Sequence, residues 1–307
     1  MMAAFALLAF ATAALAQDAA KQKEEADAYK AWYDANGAKD FPKAYDLAKT
    51  YLEKFASGQY AEYLKKWVVQ TRGYLFGVAR QAKNINDEIR LGEEALAVNA
   101  DDLDYLYLLA VDIRTAELFA ATPNYSHEAK GVDYTQRSIR LIESGKVPNV
   151  VDKQKWNQNQ TLAYLYQTLA VLEQKNKNNE KALELYKKCA SLDPTAPNYF
   201  FQVGSLHYEK YSVAVKKFEA LPAEKKQQPE NDPEAKSALD DLNNQADAVI
   251  EAWARFVALT KNNQGAAQTR DQIEKAATEL YKFRHPDSPT GFQDLVNKYA
   301  TGAPPTN

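Results

Sequence analysis

The stretch from Leu162 to Gly204 constrains the fold more than any other part of this 307-residue chain. Leu162, Leu165, Tyr166, Leu169 and Ala170 recur at helical spacing and mark one apolar face. Asn178 and Asn179 break that pattern, and Ala182, Leu185, Tyr186 and Cys189 mark a second face. Leu192, Asp193 and Pro194 close the unit before Tyr199, Phe200, Val203 and Gly204 reopen it. The small side chains of Ala170 and Ala182 let two helices approach closely, and Tyr186 fills the space beside them. The pattern predicts two linked helices followed by the start of a third. Composition agrees: 11 glycines and 12 prolines are few for this length, and 19 tyrosines supply bulk for helix-helix interfaces.

This arrangement resembles the tetratricopeptide repeat, in which a bulky aromatic, a Leu-Gly or Leu-Ala pair, a tyrosine, a central alanine and a closing proline recur about every 34 residues. The resemblance implies an all-α, right-handed α-solenoid of antiparallel helix pairs. The other segments fit it unevenly. Tyr29, Trp32 and Tyr33 precede a break at Asn36-Gly37, and Ala44, Leu47, Ala48, Tyr51 and Phe55 follow, with Asp40 as N-cap and Pro42 in the first turn. Tyr60 to Gln81 and Asp87 to Val98 form a second pair, with Phe76 and Glu88 where small residues are expected. A third pair begins as a helix from Leu103 to Phe119, with Asp102 able to cap it, and resumes at Val132 to Ile142 after an inserted loop. A fifth pair is overlong, running from Tyr199 to Leu221 and resuming after the polar stretch 222–236. Ala266 to Tyr281 reads as a capping helix. The expected organisation is a leader at 1–16, an irregular repeat domain of about five pairs at 17–284, and an irregular tail at 285–307 with Pro286, Pro289, Pro304 and Pro305.

The leader reading rests on the uncharged apolar run Phe5 to Leu15 and the small-x-small triplet Ala14-Leu15-Ala16 before Gln17. Such a run is shorter than the roughly 20 apolar residues of a membrane span. A cleaved signal peptide and a bacterial periplasmic or secreted protein are therefore expected, with no stable span after cleavage. No Lys or Arg precedes the run, a departure that a translation start upstream of Met1 would explain. The lone Cys189 forms no internal disulfide and is expected as a small core residue.

Charge and motif content point away from chemistry. The net charge of -3 and the absence of a basic run with interleaved aromatics argue against nucleic acid. Lys65-Lys66, Lys187-Lys188 and Lys216-Lys217 read as solvated helix faces. His127, His207 and His285 lack a metal-ligand spacing, and His207 reads as a hydrogen-bonded packing residue. There is no phosphate loop or nucleophile turn, and the carboxylate pairs Glu93-Glu94, Asp101-Asp102 and Asp240-Asp241 diverge on a helix. No catalytic, metal or cofactor residue is expected.

In the family it resembles, the first helix of each pair lines a groove that holds peptides or partner helices. Carried onto this chain, that groove takes Tyr107, Val111 and Arg114, then Tyr164, Gln167, Val171 and Gln174, then Asn198, Phe201, Ser205 and Tyr208. Family members that clamp a terminal carboxylate use lysines and asparagines where this chain has Tyr107, Val111, Gln167 and Val171, so that mode is not expected. The reading is a non-enzymatic scaffold binding a protein or peptide in the cell envelope. The alternative is a periplasmic protein that binds a small ligand or glycan among tyrosines of the stretched fifth pair.

Overall fold

The computed structural model describes residues 2–288 and 291–300, with side chains described from residue 19. The described residues are helical, with no strand among them. The chain forms two compact units, 1–137 and 138–307, divided within helix α6.

In the first unit, α1 (Met2–Gly37) packs on α2 (Phe41–Lys54), α2 on α3 (Ala61–Gln81), α3 on α4 (Ile85–Leu96) and α4 on α5 (Leu103–Ile113). A π turn, Arg114–Leu118, extends α5, and α6 (Glu128–Glu143) begins after a loop. Helix α1 runs unbroken through residues 2–16 of the expected leader. Ala44, Tyr45, Ala48 and Tyr51 are the buried stripe of α2, at the spacing of one helical face. Two of the expected caps form. The Asp40 carboxylate accepts from the Lys43 amide at 3.3 Å, and Asp102 accepts from the amides of Asp104 and Tyr105.

The second unit contains α7 (Gln158–Lys175), α8 (Asn179–Leu192), α9 (Pro197–Glu219), the short α10 (Ala223–Gln227), α11 (Pro233–Thr260), α12 (Ala267–Arg284) and α13 (Gly291–Ala300). The stretch Leu162 to Gly204 supplies α7, α8 and the start of α9. Ala163, Ala170, Ala182, Tyr186 and Cys189 share one core cluster, and the Cys189 thiol donates to the Ala163 carbonyl at 3.2 Å. The expected long helices are α9 and α11, of 23 and 28 residues, packed against each other. At Gly204 the backbone of α9 lies against the indole of Trp253, leaving no room for a Cβ.

The repeat leaves a signature in its turns. The turns that follow α1, α3 and α7 contain Lys39, Lys83 and Lys177, with φ of 60°, 55° and 62°. At each, the lysine amide donates three residues back and the next amide donates five residues back, as in Lys177 to Gln174 and Asn178 to Glu173. This is the Schellman turn, and an Asp or Asn follows it each time to start the partner helix. A left-handed conformation costs an L-residue about 1–2 kcal/mol. Lys177→Gly is therefore expected to stabilise the second unit by about 0.5–1 kcal/mol in chemical denaturation, and Lys177→Val to destabilise it.

Two expectations are corrected here. The tail is not irregular throughout: residues 291–300 form α13, which buries Phe292, Val296 and Tyr299 in the core beside α11. Its apolar positions recur at helical spacing, and the prolines flank it rather than interrupt it. Residues 301–307 lie outside the described residues. The helix expected to Phe119 leaves α geometry at Arg114, where a π turn places Glu117 beside His127. Glu117 Oε1 and His127 Nδ1 are 2.6 Å apart, and Glu117 Oε2 accepts from the His127 amide at 3.0 Å, which ties down the inserted loop.

Candidate functional site

The predicted groove residues are distributed in unequal environments. In the first unit, Tyr107 and Val111 are half-buried on α5, but Arg114 is buried, with its guanidinium 3.7 Å from the Phe119 ring centroid. Arg114 is thus not a groove residue: its amide still bonds the Ala110 carbonyl, so it lies one helical turn after buried Ala110 and on the same side. In the second unit, Tyr164, Gln167, Val171 and Gln174 are half-buried on α7, and Gln174 accepts from the Tyr186 hydroxyl at 3.3 Å. On α9, Asn198 is exposed and Ser205 donates to the Phe201 carbonyl at 2.8 Å. Phe201 packs against Phe256 and Tyr208 against Trp253, with ring centroids 5.5 and 5.3 Å apart. Much of the α9 face assigned to a ligand is therefore occupied by α11.

A more open aromatic surface lies on the first helices of the first two pairs. Trp32 is buried, with its ring edge-on to Tyr63 at 5.7 Å and to Trp67 at 5.3 Å. Tyr29 stacks on Tyr60 at 3.6 Å. Outside this packed layer stand Tyr33, Tyr63 and Tyr74, which are 61%, 55% and 56% exposed. Tyr74 in turn meets Phe41 edge-on at 5.4 Å. The pattern of α3 contains the reason. Ala61, Leu64, Thr71 and Leu75 already fill its buried face, so Tyr63, Trp67 and Tyr74, at i, i+4 and i+11, fall on another. The sequence reading placed Tyr29, Trp32 and Tyr33 on one helix without separating its faces and so missed this surface; the excess of aromatics over buried positions was the available signal.

No protein-family model matches the chain, and no curated protein does. Among solved structures, the chain is similar to a TPR repeats protein from Bacteroides fragilis NCTC 9343. The TM-score is 0.43 at 15% identity, covering 82% of this chain and 98% of that one. A likeness at that level carries no argument, so the all-α helix-pair fold rests on the packing described above. No described helix is long and apolar enough to cross a membrane.

The first unit also brings together three ionisable side chains, one of them buried. Arg80 on α3 makes a two-pronged contact with Asp112 on α5, at 2.5 and 3.2 Å, and its Nε lies 3.5 Å from Glu88 Oε1 on α4. Glu88 is 2% exposed. Burial first, then a hydrogen bond to Asp112 and the charge of Asp112, raises its carboxyl well above the usual range, against a smaller pull from Arg80. Glu88 is therefore a neutral acid at pH 7, donating to a carboxylate that Arg80 already neutralises. The trio serves as a joint between α3, α4 and α5. This explains how Glu88 occupies a position where the family resemblance calls for a small residue.

Proposed function

We propose that this chain is a non-enzymatic helical-repeat scaffold of the bacterial cell envelope, exported on the leader 1–16, and that it binds a protein partner through the aromatic face of α1 and α3. The observation that carries the reading is the exposure of Tyr33, Tyr63 and Tyr74 over a packed layer containing Trp32 and Trp67. Tyrosine offers a large apolar ring with a polar tip, and Tyr and Trp are enriched among the residues that dominate binding energy. Rings braced from below lose little freedom when a partner covers them, which favours association. Export is supported by the apolar run Phe5 to Leu15 and the Ala14-Leu15-Ala16 triplet.

A photo-crosslinking residue at Tyr63 is expected to form adducts with a polypeptide in envelope extract, whereas one at the exposed Glu53 on α2 is not. Replacing Tyr33, Tyr63 and Tyr74 together by Ser is expected to abolish capture while leaving the far-ultraviolet spectrum unchanged. Equal adduct yields from both positions, or capture unaffected by the triple substitution, would overturn the assignment. N-terminal sequencing of the exported protein is expected to begin at Gln17.

A further inference from the structure

A second feature, in the other unit, is independent of that surface. A cavity of about 540 Å³ opens among α8, α9 and α11, within the range of roughly 300–1,000 Å³ common for small-molecule sites. Its floor is apolar, with Phe200, Val203 and Ala252 buried beneath it. None of the predicted groove residues lines it. On α9 it uses Phe200, Val203 and His207, one residue out of step with Phe201 and Tyr208 and hence about 100° around the helix.

The polar groups around this floor are specific. His207 is 7% exposed, and its Nδ1 lies 2.8 Å from Gln245 Oε1. The orientation of Gln245 is set from behind, because its Nε2 donates to Asp241 Oδ1 at 3.1 Å. The amide oxygen therefore faces the ring, so Nδ1 carries the proton and Nε2 is left as an acceptor. Nε2 has no hydrogen-bond partner among the described residues, and the ring lines the cavity. Burial lowers the proton affinity of this imidazole below its ordinary value, and nearby Lys187 and Lys210 lower it further, against Gln245 and Glu180. The ring is neutral at pH 7.

At the other end lies Arg255, 8% exposed, held between the Tyr299 ring at 4.0 Å and the Phe200 ring at 5.5 Å. Its Nη2 donates to Glu251 at 3.0 Å, which engages one of five guanidinium N–H donors. Lys187 at the rim is exposed and has no ion-pair partner among the described residues. Lys187 and Arg255 against Glu251 leave one net positive charge. Arg255 packs on Phe200, and His207 lies seven residues farther along α9, about 10 Å by helical rise. The cation and the lone acceptor thus stand at opposite ends of an apolar floor.

We propose that this cavity binds an elongated, apolar monocarboxylate that carries an O–H donor at its far end. The carboxylate meets Arg255, the chain lies over Phe200, Val203 and Ala252, and the hydroxyl donates to His207 Nε2, while Lys187 at the rim adds positive charge to the cavity as a whole. Burial of the hydrocarbon supplies most of the affinity, and the two polar ends set register and length.

The test is a calorimetric titration of the full chain with ω-hydroxyalkanoic acids from hexanoic to decanoic. Saturable binding with a length optimum is expected, weakened about tenfold or more by methyl esterification and several-fold when the hydroxyl is removed. Arg255→Met is expected to remove most of the difference between acid and ester, and Lys187→Ala, at an exposed position, to weaken acid binding to a smaller extent without affecting the fold. A second measurement needs no variant to fold. The chain has three histidines, and nitrogen-15 spectra at neutral pH are expected to show His207 protonated at Nδ1, with its Nε2 resonance shifting on ligand addition. Three results would overturn the proposal: no saturable binding across the series, equal affinity for acid and ester, or a proton on Nε2 in the free protein.

Discussion

Gly204→Ala is expected to destabilise the second unit by about 2–3 kcal/mol, a large cost for one methyl group. A Cβ at Gly204 would overlap the Trp253 indole at Cδ1 and Nε1, which belong to a rigid ring rather than the free end of a flexible chain. Trp253 is 4% exposed and is enclosed by Tyr208 and the core of α11, so the ring has nowhere to retreat. Inserting extra volume into a packed core typically costs about 1–3 kcal/mol. Urea denaturation reads the effect directly. The cause is checked by pairing Gly204→Ala with Trp253→Phe. The smaller ring vacates the contested space, so the double variant is expected to lose less than the sum of the two single changes. Wild-type stability for Gly204→Ala, or strict additivity in the double variant, would show that α9 and α11 do not meet at this point.

Glu88→Gln is expected to stabilise the first unit, and by an amount that grows with pH. The folded Glu88 carboxyl is raised above its unfolded value of about 4.3. Between those two values the native state holds a proton that the unfolded state has released, so stability falls as pH rises through that window. The full benefit of the buried acid is present only below the unfolded value. Glutamine has a neutral amide that donates to Asp112 without this titration. The gain over wild type is expected to be on the order of 1–3 kcal/mol at pH 7.5 and close to zero near pH 4. Glu88→Ala separates the proton from the packing. It leaves Asp112 and Arg80 without their third partner and opens a cavity, so it is expected to destabilise by about 2 kcal/mol near pH 4 and, because it too lacks the titration, by less at pH 7.5. A pH-independent difference between Glu88→Gln and wild type would show that Glu88 is ionised in the folded protein.

Both residues show how far local pattern extends. Gly204 was legible as a small position on a helix, because the spacing from Tyr199 is helical, but its partner was not. Trp253 lies 49 positions away in sequence, and nothing local in either segment encodes their meeting. Glu88 was legible as a misfit. That the misfit is resolved by a shared proton depended on Arg80 and Asp112 arriving from two other helices. The tail failed for a different reason. Four prolines outweighed the short helical pattern Phe292, Val296 and Tyr299, which gains its stability from docking beside α11 rather than from propensity.

The candidate sites divide in the same way. The groove read from the family resemblance put Arg114 outward, but it follows buried Ala110 by one helical turn and so falls inward with it. The cavity of the second unit was hidden because it draws its polar groups from three helices, among them Lys187 from α8, His207 from α9 and Arg255 from α11. His207 was correctly read as a hydrogen-bonded packing residue. Which ring nitrogen remained as acceptor was decided by Gln245 and, behind it, Asp241.

By itself the sequence determined the helices up to residue 284, their order and the N-caps at Asp40 and Asp102, because periodicity and capping act within a few residues. The tertiary structure alone decided which aromatics remained exposed on α1 and α3, how a buried carboxyl keeps its proton, and where an apolar floor acquired a cation and an acceptor at its two ends. Those outcomes depend on burial and on charges brought together from distant segments, and the energies of both are set by the packed interior.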